Sequence, residues 1–358
     1  MHHPSATIEV NGKQVTGAFW ARLIRLSVTD KAGNESDEVS VELLDGDPFL
    51  EIPKTGAKIR VWLGYRETGE RYHGAFVVDS VQLDIAPYRM TITGKSADMR
   101  DTLKQQKTRH WENKTLGEIV QGVAADHGMT PSVSDEVSSI RYEWLGQMDE
   151  SDMHLLTRLG ERHGALVSFK DGKLVFAERG AGNSGSGKAM TVLVINRSDL
   201  VTGSCRVRFA DRGKHKRVVA RYQDKGQQKR KEVEIESDED ASASYSLPET
   251  YASEDEAKKA AKAKAREQQA GSDTIEFSVI GNPDLKAGVP CRLLGVRPGV
   301  DDLEWTVDTV THEFSKSGYT TRVSGKRGVE SGKTKKKSVK KSVKPEAQFP
   351  YDPDLSLD

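Results

Sequence analysis

"FVVDSVQLDI" occupies residues 76–85, and "WTVDTVTHEF" occupies residues 305–314. Both alternate apolar and polar side chains, the period of a strand with one face against a core. Each is followed by a second strand-like run that ends on Gly-Lys: "YRMTITGK" (88–95) and "YTTRVSGK" (319–326). Upstream, "LLDGDP" (43–48) corresponds to "VIGNP" (279–283), and "KIRVWLG" (58–64) to "VPCRLLG" (289–295). The separation stays at 229–231 residues over the last three pairs. A strand–turn–strand series repeated in the same order predicts one β-unit present twice. Three chains with two such units each would form a ring of approximate six-fold symmetry, which also covers strand edges that a lone barrel-like sheet exposes.

Between the copies the pattern changes. "NKTLGEIVQGVAADHG" (113–128) carries Leu116, Ile119, Val120 and Val123 at helical spacing. Thr115 and Glu118 form a T-x-x-E capping box, and His127-Gly128 ends the helix. "DESDMHLLTRLGERHGALVSFKDGKLVFAE" (149–178) repeats this grammar. Ser151 reads as N-cap, Asp152 suits the helix dipole, Leu155, Leu156 and Leu159 face a core, and His163-Gly164 closes. A hairpin follows around Lys170-Asp171-Gly172-Lys173, with Asp-Gly favouring a type I′ turn. Further strands are expected at 191–196, 204–210, 216–223 and 229–236, then a charged helix over about 254–270 opened by Ser253 and Glu256, then strands over 273–326.

The fold expected is mainly β with an α+β middle domain and two similar barrel-like β-domains per chain. The boundaries are 1–105 for the first barrel-like domain, 106–180 for the middle domain, 181–328 for the second barrel-like domain with its charged helix, and 329–358 for a disordered tail. "RGAGNSGSGKAM" (179–190) reads as a flexible loop and "KTKKKSVKKSVK" (333–344) as a low-complexity tail.

Composition excludes several classes. The 358 residues hold 54 Lys+Arg and 54 Asp+Glu, so the formal net charge is zero and gives no bulk attraction to nucleic acid or membrane. No apolar run reaches the ~20 residues a bilayer span needs, and "MHHPSATIEV" has no secretory pattern. Cys205 and Cys291 suit neither a disulfide framework nor a metal spacing, so reduced thiols and synthesis in the cytosol are expected.

Each chemical motif has a plainer reading. "GNSGSGK" (182–188) matches most of a phosphate-binding loop, but Ala189 replaces the hydroxyl residue and a strand, not a helix, follows. Ser151, Asp152 and His154 lack a nucleophile elbow and an oxyanion hole, so capping is the reading adopted. His127 and His163 are read as helix-terminal residues rather than metal ligands. Asp79 and Asp308 match because of the repeat and are expected to accept hydrogen bonds at a strand or subunit boundary. The basic run "RGKHKRVVARYQDKGQQKRK" (212–231) reads as a solvated hairpin face, with an electropositive contact surface as the alternative. No catalytic, cofactor-binding or metal-binding residue is assigned, and no enzyme activity is expected.

The segments 110–129, 147–176 and 281–326 together resemble the phage late control gene D protein family, baseplate hub proteins of contractile tails related to the hub part of type VI secretion spike proteins. The resemblance covers most of residues 5–328. It implies a homotrimer whose paired β-domains form a pseudo-hexameric ring between the hexameric tail tube and the trimeric central spike. It also implies tape-measure and baseplate wedge proteins as partners and a place in the virion tail baseplate; no membrane segment and no nucleic-acid partner are expected. His154 departs from the pattern where an acidic or amide residue would complete a second capping box. A tail-associated cell-wall hydrolase, or a component of a related type VI-like injection particle, is the alternative.

Overall fold

The structure is a computed structural model, and it describes residues 3–33, 35–96, 101–170, 172–178, 191–210, 215–224, 229–237, 241–271, 273–301 and 303–328. The 182–188 loop, the 333–344 tail and Asp171 of the hairpin turn lie outside the described residues.

Strands from both copies join one 13-stranded sheet. In the first copy the order is 38–44, 88–96, 69–85, 58–65, each pair antiparallel. In the second copy it is 274–280, 318–327, 304–315, 290–294, again antiparallel throughout. The agreement extends to single bonds. Gly56 N donates to Val78 O and Val78 N to Ala57 O, both at 2.9 Å. In the second copy Gly288 N donates to Val307 O at 2.8 Å, and Val307 N to Val289 O at 3.1 Å. Both long strands also slip register at the same place, between Val78 and Ser80 and between Val307 and Thr309. The slip is a β-bulge, which adds one residue and resets the alternation of faces. Asp79 and Asp308 are those extra residues.

Gly94 and Gly325 sit opposite the bulges. A Cβ on Gly94 would lie 2.9 Å from Val77 O and 3.1 Å from Val39 Cγ1. One on Gly325 would lie 2.7 Å from Thr306 O and 3.3 Å from Ile275 Cγ2. Equivalent atoms crowd equivalent glycines, so the Gly-Lys ending of each copy is a packing requirement.

The register of the repeat changes. The paired turns place Lys58 opposite Pro290 in the repeat, not opposite Val289, one residue from the alignment read in the sequence. Burial agrees, since Ile59 and Val61 then match Cys291 and Leu293, all core residues. Among the described residues no sheet closes on itself, and strands of both copies lie in one sheet. They share one open sheet because strand 304–315 pairs antiparallel with strand 23–31. One core gathers Ile8, Leu26, Val28, Val61, Leu63, Phe76 and Met90; the other gathers Phe277, Leu293, Trp305, Val310 and Val323. Residues 17–22 form a short helix.

The middle segment has its own core, which includes Leu116, Ile119, Val123, Leu155, Leu159 and Phe176. Thr115 caps helix Leu116–Asp126 with both capping-box bonds, 3.2 Å from Glu118 N to Thr115 Oγ1 and 2.8 Å from Thr115 N to Glu118 Oε2. Ser151 Oγ accepts from His154 N at 3.2 Å to start helix Asp152–His163, and Gly164 ends it in the left-handed region at φ 64°. Strands 106–115 and 141–151 form a two-stranded sheet. Strands 217–224, 229–236 and 244–251 form a further small sheet, covered by Ala257, Ala260, Ala261 and Ala265 of helix Glu254–Gly271. Among the described residues, no helix is long and apolar enough to cross a membrane.

Candidate functional site

The joint between the copies concentrates buried polar chemistry. Its backbone part is the pairing of Val310 with Asp30, His312 with Val28 and Phe314 with Leu26. Ala32 N closes its end by donating to Asp308 O at 2.8 Å.

His312, fully buried on that strand, is held at both ring nitrogens. Nε2 lies 3.1 Å from the Leu285 carbonyl, which can only accept, so Nε2 carries the proton. Nδ1 then accepts from Tyr319 Oη at 2.8 Å, with Thr321 Oγ1 at 3.2 Å. Burial pushes the His312 pKa down to about 4 despite the Leu285 bond, and the ring stays neutral. His73, from the first copy, packs on it with ring centroids 4.3 Å apart. Burial, the largest cause, lowers His73 to about 3. Tyr65 Oη donates to Gly281 O at 2.7 Å, and Arg71 meets Asp284 at 3.1 Å, so the 65–73 turn of one copy clasps the 281–285 loop of the other.

Lys170, at the tip of the middle hairpin, ties three segments together. Its ammonium donates to Asp30, to Asp37 at 2.8 Å and to the Lys31 carbonyl at 2.6 Å. Asp30 also accepts from Ala287 N of the second copy at 2.8 Å. Burial opposes the Lys170 charge, but the two carboxylates outweigh it and raise its pKa.

The residues singled out in the sequence are placed as follows. Ser151 and His154 do not form a nucleophile–base pair: Ser151 caps the helix, and His154 Nδ1 contacts Glu150 at 2.6 Å. Asp152 is more than a dipole partner. It is fully buried and accepts from Lys107 at 2.6 Å, Arg109 at 2.7 Å, and Gln147 and His127 at 2.8 Å each. Burial alone would raise its pKa, yet these bonds and the Arg109 charge hold it at about 2. His127 therefore closes its helix and also clamps this carboxylate. His163 bonds Tyr142, and burial lowers its pKa to about 4. Asp79 and Asp308 each meet a lysine at 3.3 Å, Lys95 and Lys326, across their bulges. Cys291 is buried, its thiol pushed up to about 12 by burial, and Cys205 is half-buried; both are free.

Three cations of the basic run are paired with acids. Arg217 pairs with Glu234 at 2.7 Å, Arg221 with Glu232 at 3.1 Å and Lys231 with Asp224 at 2.6 Å. In each pair the acid comes from the neighbouring strand. Residues 211–214 and 225–228 of this run lie outside the described residues.

The lysine node and the histidine node were both missed. The turn "KTGA" (54–57) against "KAGV" (286–289) was a sequence signal for the repeat that could have corrected its register.

A duplicated sheet with a polar joint defines a mainly β protein built around an internal repeat. Comparison with known proteins identifies which. The profile of the family described as "Phage tail baseplate hub (GPD)" matches residues 34–318. A relative described as "Probable baseplate hub protein" from Escherichia phage 186 is 32% identical, over 89% of this chain and 91% of its own length. Among solved structures, the 43 kDa tail protein of prophage MuSo2 from Shewanella oneidensis is similar with a TM-score of 0.66 and 18% identity, covering 90% of this chain and 98% of that one. An E. coli component of the type VI secretion system is similar with a TM-score of 0.58 and 11% identity, covering 90% of this chain and 77% of that one. The chain belongs to the phage tail baseplate hub family.

Proposed function

We propose that the chain acts as a homotrimeric adaptor in a contractile tail baseplate, its six β-units forming a ring between a six-fold tail tube and a three-fold central spike. The observation that carries this reading is the repeat, reproduced down to the bulges, the turn bonds and the crowded glycines. Two near-equivalent units in one chain let three chains present six near-equivalent surfaces. The role is positional: the ring seats the spike, starts the tube and passes load between them. Tape-measure and baseplate wedge proteins are the further partners, the virion tail baseplate is the location, and the chain is made in the host cytoplasm. A place in a type VI-like injection particle is the second reading, favoured by the likeness to a component of that system.

Multi-angle light scattering tests the proposal. The expected mass is three times the 39.5 kDa chain, alone or with the spike protein. A stable monomer in the presence of the spike protein overturns it.

A further inference from the structure

The internal joint has a counterpart that is half built on each side of the chain. In the second copy, residues 309–315 pair with strand 23–31 on one edge and with strand 318–327 on the other. The matching stretch of the first copy, residues 80–85, pairs with strand 88–96 on one edge only. Among the described residues, no strand lies along its other edge. The apolar side chains there follow suit. Val310 and His312 are fully buried, whereas their counterparts include Leu83 at 39% exposure, and Ile85, counterpart of the partly buried Phe314, is 67% exposed.

The strand that would cover this edge is also present, at the far end of the sheet. Strand Arg206–Arg208 pairs with strand 274–280 and has no second neighbour among the described residues. Its place in the repeat is that of strand 23–31. Arg206 sits opposite Glu276 as Ser27 sits opposite Ser40, and Ser40 and Glu276 are equivalent positions.

We infer that the edge at 80–86 of one chain takes up residues 204–210 of a second copy as an antiparallel strand, in the register of the internal joint. This rests on the ring reading above and gives it a specific contact. Mapping the joint onto the two edges places Val81 opposite Phe209, Leu83 opposite Val207 and Ile85 opposite Cys205 on the core-facing side. All are apolar or weakly polar, and Phe209 is 57% exposed in the isolated chain. On the other side the mapping places Asp84 opposite Arg206 and Gln82 opposite Arg208. Opposite charges face each other and no like charges do, as a sheet pair requires. The contact joins two different surfaces, so it is heterologous and repeats head to tail until a ring closes. Strand addition also removes the two free edges that would otherwise invite non-specific pairing.

Cys205 supplies the test. In this register Ile85→Cys places a thiol directly opposite the native Cys205 of the next chain, within the reach of a disulfide once the backbone adjusts slightly. Copper-phenanthroline oxidation of the Ile85→Cys assembly is expected to give covalent dimers and trimers on a non-reducing gel, lost when Cys205→Ser is added. Leu83→Cys, two residues out of register, is expected to cross-link at least tenfold less. A charge swap provides a second measurement. Asp84→Arg is expected to weaken assembly a few-fold per contact, and Arg206→Asp in the same chain to restore it. A trimer in which Ile85→Cys fails to cross-link, or cross-links no better than Leu83→Cys, overturns this strand pairing and leaves the ring standing. A chain that stays monomeric overturns both.

Discussion

Asp152→Asn removes one negative charge from the middle core while preserving its shape. The wild-type carboxylate is fully buried and accepts from Lys107, Arg109, Gln147 and His127. Deleting one partner of a buried ion pair costs about 3–5 kcal/mol. Here the cations keep some solvent, with side-chain exposures of 29% and 27%, and both also contact Asp126, so the lower part of that range applies. The titration gives a second route. A folded pKa of about 2 against an ordinary 3.8 amounts to roughly 2–3 kcal/mol. The sign follows from the direction. A depressed carboxylate stabilises the fold above its unfolded pKa, and that stabilisation is lost as pH falls from about 4 through about 2. Hydrogen exchange read by mass spectrometry, on peptides from 106–115 and 141–163, measures the opening of this unit without requiring two-state unfolding of the whole chain. At pH 7 Asp152→Asn should exchange about 30- to 100-fold faster than wild type, at roughly 1.4 kcal/mol per tenfold. At pH 2 the ratio should shrink to a few-fold. A ratio below about fivefold at pH 7, or one that grows on acidification, would show that the carboxylate is not the clamp described here.

Gly94→Ala and Gly325→Ala should each destabilise by about 1–3 kcal/mol, because a backbone carbonyl must move in both copies; thermal unfolding checks this, and a neutral effect at either site breaks the equivalence. Lys170→Met should leave Asp30 and Asp37 without their cation and cost roughly 2–3 kcal/mol. Faster exchange at the Lys31 and Ala287 amides is the readout, and unchanged protection there refutes the three-way tie. Acid should loosen the joint at His312 and the middle core at His163: both have folded pKa values lowered to about 4, so the stability they confer is complete above the ordinary 6.5 and declines as pH falls towards 4. A melting temperature that rises over that interval contradicts the assignment of neutral, buried rings.

Much of the chain is legible without coordinates because its information is local. Thr115 and Glu118 lie within one helical turn, so their capping box can be read from spacing alone. Gly164 marks a helix end for the same reason. The repeat is legible because strand order and turn positions survive as a pattern of residue types. Even the bulge leaves a trace, since apolar positions 76 and 78 give way to 81, 83 and 85, and 305 and 307 to 310 and 314. That change of phase is a local signal. What the tertiary structure alone decides is which distant segments meet. No spacing brings Lys170 to Asp30, or Asp152 to Lys107, because those pairs are 140 and 45 residues apart. Sheet hydrogen bonds between backbones carry no residue code, so nothing in the letters of 309–315 says that strand 23–31 lies alongside. The same absence of code hides the two free edges, which emerge only when one copy's neighbours are compared with the other's.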